Sequence, residues 1–505
     1  MKKLIYFYAA ILVLAIGNNS CTRDNLEPIK IQSNSILGEK LENPYTMDVM
    51  EQAWLNVQAE LKKEGRTSDL ADITLTPTHY YIKFKPKNEE ELDLLNADAT
   101  LNLYGYPLDY EVFEGINNYR DPEVTEGQPT YQYAAVPVGH SVPNINYEKI
   151  ADIFIPEDSP LFATARTDDP CMPQMITNEA MTITNNLEYL EPIDNDCGPN
   201  PGGGGGSVGC SYCPQGTMRV WDDTQNRFIP IVGLKVQARV FLNTKTAITN
   251  GAGKYIIRHN FSNKKQYSFK WKRDNFTIRD NPLDAAETIG PKTKGWWSVD
   301  FRGGISQFHG TIFRAAYHYY YGNINGLRRP PLNNFWHTRL KIRAYNETNS
   351  DINGSHCAAC RFIGLGSAIK IYNNTTKPTY NTDDLYGTVV HELAHASHWS
   401  MDGNNYNNGD GIVVESWARG VQWELTRMIY PNYRPDYFGS YTGVVEDLRD
   451  GIIPNDYDQV EGYSIRQVED ALVGQRTFIN WRNNIKNNYA NTTKNNLDAL
   501  FNYWD

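Results

Sequence analysis

The chain has 505 residues, of which 40% are hydrophobic and 12% aromatic, and its formal net charge is −11. That length predicts about three domains rather than one core. The acidic balance, with no basic stripe that could follow a phosphate backbone, excludes a nucleic-acid partner.

Lys2 and Lys3 precede an apolar run from Leu4 to Ile16, followed by Gly17-Asn18-Asn19-Ser20-Cys21. This is the pattern of a bacterial secretory signal, with an apolar stretch too short to span a bilayer. A cysteine directly after a small residue at that point resembles the lipobox of bacterial lipoproteins, in the loose form common in Bacteroidota-type chains. The resemblance implies removal of residues 1–20, lipidation of Cys21, and a cell-envelope, outer-membrane lipoprotein held to the membrane by that anchor. Asp24 and Glu27 hint at export to the surface, though a periplasmic face stays open. No later segment is long and apolar enough to span a membrane.

Residues 21–195 read as an N-terminal α+β domain. Thr46–Leu61 has helical periodicity, His79–Lys85 is a strand, Asn88–Ala97 is a helix with Asn88 and Glu91 as a capping pair, and Leu101–Tyr104 is a second strand. Its role is open between a docking domain and a pro-region shielding a cleft. Residues 196–215 form a linker around the Gly202–Gly206 run. Residues 216–290 follow as a small β-sandwich. Leu234, Val236, Ala238 and Val240 alternate with Lys235, Gln237 and Arg239, Asn250-Gly251 marks a turn before a strand at Tyr255–Arg258, and Tyr267, Phe269 and Trp271 alternate again. The wording from Pro230 to Ala238 and from Thr249 to Tyr255 resembles the carboxypeptidase-regulatory-like β-sandwich, which implies a spacer or binding module. Six cysteines besides Cys21 (Cys171, Cys197, Cys210, Cys213, Cys357 and Cys360) favour disulfides in an oxidising compartment. A structural zinc site drawing on the two C-x-x-C pairs and His356 is the alternative.

Residues 291–505 carry the chemistry. Thr311–Tyr321 reads as an aromatic-rich helix, and Thr338–Tyr345 and Ser367–Tyr372 as strands. Tyr386–Trp399 is a helix containing His391-Glu392-Leu393-Ala394-His395. Two histidines four apart lie on one helix face and can reach one metal ion, with Glu392 beside them as a general base. A random chain of this composition shows such a pentapeptide only about once in a hundred times. Gly411–Tyr430 is a second helix, with Val414, Trp417, Ala418, Val421, Leu425 and Met428 at helical spacing, and Glu415 near its start. Two histidines and one glutamate form a common ligand set for catalytic zinc, which keeps a fourth position open.

H-E-x-x-H followed by a glutamate on a second helix resembles the gluzincin metallopeptidases. The resemblance covers about 200 residues in organisation and two helices in motif. It implies a zincin-like domain with Zn2+ held by His391, His395 and Glu415, and Glu392 as catalytic base. Thermolysin-like enzymes carry an aspartate four residues after the ligand glutamate to orient a histidine. Here that position is Arg419, so an orienting acceptor must come from elsewhere. Metzincins need glycine and histidine where this chain has His398 and Met401. His398 stands about 10 Å along the helix from His391 and reads as a polar residue at the cleft rim. The glycoprotein-cleaving peptidases of gut bacteria usually have Gly where Ala394 stands. In zincins the strand before the metal helix forms the upper edge of the cleft, a role that falls here to Ser367–Tyr372. The oxyanion donor would be one of Tyr406, Tyr441, Tyr457 and Tyr463. The fold expected is therefore multidomain α+β: an N-terminal α+β domain, a small β-sandwich and a C-terminal zincin-like metallopeptidase domain. The function expected is a zinc-dependent metalloendopeptidase acting on extracytoplasmic proteins or peptides. The alternative is a non-catalytic surface binding or adhesion lipoprotein that retains the metal site.

Overall fold

The computed structural model describes residues 36–65, 73–117, 119–163, 172–190, 213–259, 261, 264–281, 283–333, 338–349, 351–357, 369–377, 379–452 and 457–505. The signal segment, Cys21, the Gly202–Gly206 run and Cys171, Cys197, Cys210 and Cys360 lie outside the described residues. Cys213 and Cys357 are each in a disulfide, so Cys357 is not available to a structural metal site with His356. The chain is mixed α and β, with five sheets and 11 α-helices among the described residues. None of those helices is long and apolar enough to cross a membrane.

The first elements are β1 (Leu37–Lys40), α1 (Met47–Lys63), β2 (His79–Phe84), α2 (Glu89–Ala97), β3 (Tyr110–Val112), β4 (Gly115–Ile116), β5 (Gln132–Pro137), β6 (Tyr147–Ile153), α3 (Pro160–Ala163) and α4 (Met172–Ile183). Met50, Ala53, Trp54, Val57 and Leu61 recur every three or four residues, so α1 buries one stripe, and that stripe packs on α4. The start of α2 is fixed by the expected cap: Asn88 Oδ1 accepts from the Glu91 N–H at 3.0 Å, and the Glu91 carboxylate accepts from the Lys87 N–H at 2.8 Å. β2 is the centre of an antiparallel β5-β2-β6 sheet. Leu101–Tyr104 does not form the expected strand. Leu101, Leu103 and Tyr104 are all buried, and only Tyr104 makes a bridge, to Tyr133. Tyr104 exchanges both backbone hydrogen bonds with Tyr133, and among the described residues no ladder continues to Leu101–Leu103.

Next come β7 (Gln215–Asp222), β8 (Arg227–Pro230), β9 (Lys235–Val240), β10 (Asn243–Ile248), β11 (Lys254–Ile256), β12 (Lys265–Lys270), β13 (Phe276–Arg279), β14 (Glu287–Thr293) and β15 (Val299–Phe301). They form one sheet ordered β10-β9-β12-β14-β4 and another ordered β11-β7-β15, with β8 also on β7. Met218, Val220, Val236, Ala238, Tyr267 and Phe269 belong to the shared core, where fully burying a valine, methionine or phenylalanine contributes about 1.5–3 kcal/mol. The polar face of β9 is buried as well. Arg239 donates from Nη1 to the Leu108 and Phe241 carbonyls at 3.0 and 2.6 Å and lies over the rings of Tyr104 and Tyr106. β4 extends the first sheet from the N-terminal side, and β15 reaches β7 from beyond residue 290. Strand pairing thus crosses the boundaries expected at 195 and 290.

The remaining elements are α5 (Gly304–Tyr321), β16 (Leu340–Tyr345), β17 (Gly354–His356), β18 (Ile369–Tyr372), α6 (Thr382–Asn407), α7 (Gly411–Arg427), α8 (Val444–Arg449), α9 (Ile465–Leu472), α10 (Phe478–Asn488) and α11 (Leu497–Trp504). β13, β16 and β18 are parallel, and β17 closes the sheet antiparallel to β18, with Gly354 opposite Ile371. The sheet edge near α6 is therefore β17, not the expected Ser367–Tyr372 segment. Ile369 and Ile371 are fully buried in a strand flanked on both sides. A buried charge cluster joins this sheet to the N-terminal elements: Arg279 and Lys341 both pair with Glu89 at 2.5 Å, and Lys341 pairs with Asp93 at 2.7 Å. Both cations and Glu89 are more than nine-tenths buried, so losing one partner leaves an uncompensated charge.

Candidate metal centre

α6 begins on the turn between β7 and β8. Asp223 Oδ1 accepts from the Thr382 N–H at 2.8 Å, Thr224 Oγ1 accepts from the Asp383 N–H at 3.2 Å, and the Asp384 carboxylate accepts from the Asn381 N–H at 3.0 Å. These acceptors satisfy amides that a helix start leaves open. Beside them Asp222, wholly buried, accepts from Arg314 Nη1 of α5 at 3.0 Å and from the Tyr430 hydroxyl at 2.7 Å. Val389, Val390, Leu393, Ala394 and Ala396 are fully buried and fix the rotation of the helix about its axis.

That rotation turns His391 and His395 toward Glu415 of α7. His391 Nε2 lies 3.1 Å from Glu415 Oε2 and 3.1 Å from His395 Nε2, which is itself 3.2 Å from the same Glu415 oxygen. The three residues form a group able to ligate a metal ion. No assignment of protons makes all three contacts good hydrogen bonds, because each Nε2–H can point at only one partner. A cation serves all three atoms at once. Ligand atoms about 2.0–2.1 Å from a tetrahedral zinc stand roughly 3.3–3.4 Å apart, close to the spacing found. The residues fit such an ion.

The electrostatics show three groups solving one charge problem. Burial pushes the His391 imidazole down to about 4. Burial acts downward on His395 too, but the Glu415 carboxylate outweighs it and the pKa is raised. Burial acts upward on Glu415, and the two histidines overcome it, holding the carboxyl well below the usual range. Glu392, next on the helix and 5% exposed, is pushed up to about 8 by burial, with Glu415 adding to the rise. A methyl group at Gly354 of β17 would stand 2.8 Å from Glu392 Oε1 and 2.9 Å from Thr388 Cγ2. Only a glycine lets the strand pass this close to the carboxylate. A glycine inside a short strand is the one sequence signal for that approach.

Two of the four candidate tyrosines flank the group. Tyr441 lies 5.8 Å from the His391 ring, and burial with the Glu415 charge lifts its phenol to about 12. Its loop is pinned to α7, because Ser416 Oγ donates to the Ser440 carbonyl at 3.1 Å and Thr442 Oγ1 donates to Ser416 Oγ at 2.7 Å. Tyr406 lies 6.0 Å from the His395 ring, and its hydroxyl is 3.2 Å from His356 Nδ1 of β17. A straight helix would carry Tyr406 about 16 Å beyond His395. The helix breaks at Asp402, whose carboxylate accepts from Asn405 Nδ2 and from the Gly474 N–H at 2.7 Å, and the last turn folds back. Tyr457 instead stacks on Tyr503, and Tyr463 is buried at the start of α9.

Two expectations change. His398 is not at a rim: it is 2% exposed, edge-on to Tyr406 at 5.1 Å, and burial lowers it to about 3. The fold-back at Asp402 covers it. The orienting acceptor expected for the metal histidines is also missing, since Nδ1 of both His391 and His395 is buried without a partner among the described residues. Compared with protein-family models, curated proteins and solved structures, the chain matches none.

Proposed function

We propose that the protein is a gluzincin-like zinc metalloendopeptidase that cleaves extracytoplasmic proteins or peptides, carried on an outer-membrane lipoprotein anchored at Cys21. The observation that carries this reading is the convergence of His391, His395 and Glu415 atoms at 3.1–3.2 Å, with Glu392 buried beside them. A zinc ion held by those three residues would polarise a scissile carbonyl and acidify bound water. Glu392 is the proton carrier: its carboxylate, buried beside the ligands and next to a bound cation that would favour its ionised form, would take a proton from the attacking water and return it to a leaving amine. Gly354 holds that carboxyl against the sheet edge. β17 offers main-chain groups to an extended peptide lying along α6. Tyr406 and Tyr441 stand on either side of the ligands as donors for a developing oxyanion. The sheets around β7 act as the mount of the metal helix through Asp222 and Asp223.

The test is to incubate the purified protein with a diverse peptide pool and zinc, beside Glu392→Ala, and sequence the products. Wild-type cuts that vanish in the variant while bound zinc is retained support the proposal. Equal cutting by the variant rejects the mechanism. The binding or adhesion reading draws on the two partnerless Nδ1 atoms, which leave the ligands less firmly oriented. It gains if the wild type retains zinc and cuts nothing.

A further inference from the structure

Arg419 is the charged group near the metal ligands that the proposed chemistry leaves unused. It stands one helical turn after Glu415 on α7, and residues four apart share a helix face. Its guanidinium is steadied by neutral groups. Nη1 donates to Gln422 Oε1 at 2.9 Å, and the group lies over the Tyr441 ring, 4.7 Å from its centre. Gln422 is fixed in turn, because its Nε2 donates to the Tyr433 hydroxyl at 2.5 Å. Among the described residues no carboxylate forms an ion pair with Arg419, and its Nε is buried without a partner. The Tyr441 ring that it covers lies 5.8 Å from the ring of His391, which places the guanidinium beside the candidate metal ligands.

With only a neutral amide and an aromatic ring as its neighbours among the described residues, the Arg419 guanidinium keeps its charge for a ligand. A held guanidinium offers a planar fork of donors that matches a carboxylate. A cleft with low-dielectric walls concentrates ligands of the opposite sign. We propose that Arg419 is a substrate-binding residue that receives a carboxylate of the bound peptide, so that the cleft selects peptides with a carboxylate close to the scissile bond. The carboxylate is either the free C-terminus or an Asp or Glu side chain. This rests on the metallopeptidase reading, and it is tested through binding so that the two can fail separately.

The experiment uses the zinc-loaded full protein carrying Glu392→Gln, which removes the proton carrier, and four dye-labelled pentapeptides of Ala and Phe. They end in a free acid or an amide, and each has Gln or Glu in the penultimate position. Affinity is read by fluorescence anisotropy, with zinc content and circular dichroism checked for each variant. Peptides with the right carboxylate are expected to bind at least tenfold more tightly than the neutral amide. Adding Arg419→Gln should erase that difference and leave the neutral peptide unchanged, and Arg419→Lys should restore part of it. A gain limited to the free acids identifies the C-terminus, and a gain limited to Glu identifies a side chain. The proposal is overturned if all four bind alike, if none binds, or if Arg419→Gln weakens all four equally. Turnover of the neutral peptide by the wild type separately tests the peptidase reading.

Discussion

Asp222→Ala is expected to destabilise the protein far more than an average substitution. The carboxylate is wholly buried and accepts three hydrogen bonds: from Arg314 at 3.0 Å, from the Tyr430 hydroxyl at 2.7 Å and from the Gln225 N–H at 3.0 Å. Arg314 is 8% exposed, so removing Asp222 strands a guanidinium that water cannot reach. Breaking a buried pair in this way costs about 3–5 kcal/mol. With a urea slope of about 3 kcal/mol per M, the unfolding midpoint followed by tryptophan fluorescence falls by about 1–1.7 M. A double variant, Asp222→Leu with Arg314→Met, replaces the pair by apolar groups and should recover most of that loss. A midpoint shift under about 0.3 M for Asp222→Ala, or a double variant no better than the single one, would refute the reasoning.

Gly354→Ala should reduce peptide cleavage about 100-fold while zinc stays bound, because the new methyl displaces Glu392 by a fraction of an ångström to an ångström. Unchanged turnover removes Gly354 from the account. Glu415→Ala should lose the metal outright, read by elemental analysis after dialysis, since it supplies one of three converging atoms. Burial, with Asp458 and Asp450 nearby, lifts Asp447 to about 7, against about 3.9 in an unfolded chain, although Trp504 Nε1 donates to it at 2.7 Å. Between those values the folded chain binds more protons than the unfolded one, so this group makes stability fall as pH rises from about 4 to 7. Asp447→Asn should flatten that part of the urea-midpoint profile, and an identical slope in the variant counts against the linkage. A chain starting at residue 291 should be insoluble or unfolded by circular dichroism. It lacks β13, Asp222 and the carboxylates that neutralise Lys341. A soluble, cooperative fragment would contradict this.

The candidate metal group of His391, His395 and Glu415 was legible because each part has a local signal: helical period for α6 and α7, a four-residue spacing for the histidines, and a glutamate at the start of the second helix. The cap at Asn88 was legible for the same reason. What escaped were features set by distant residues. The burial of Arg239 on the polar face of β9 depends on the Leu108 carbonyl and the tyrosines of another segment, and the alternation of β9 carries no trace of either. The sheet edge is β17 because three residues from 354 to 356 add outside β18, and nothing local in Ile369–Tyr372 records that. The return of Tyr406 needs the break at Asp402, fixed by an amide 72 positions away at Gly474. With 33 tyrosines in the chain, only that geometry separates Tyr406 and Tyr441 from the rest.

The charge cluster of Glu89, Asp93, Arg279 and Lys341 also constrains the order in which the chain can fold. Asp93 and Lys341 are separated by 248 positions, so α2 leaves the ribosome long before its partner is made. Contacts of such separation carry the loop-closure entropy that slows folding. Until Arg279 and Lys341 are made, Glu89 and Asp93 lack the cations that they pair with in the fold. α6, later still, is seated on Asp223 and Thr224, made 159 positions earlier. The sheet that flanks His391, His395 and Glu415 is therefore completed only after residue 341 has been made, although the carboxylates that neutralise it are among the first residues of the fold.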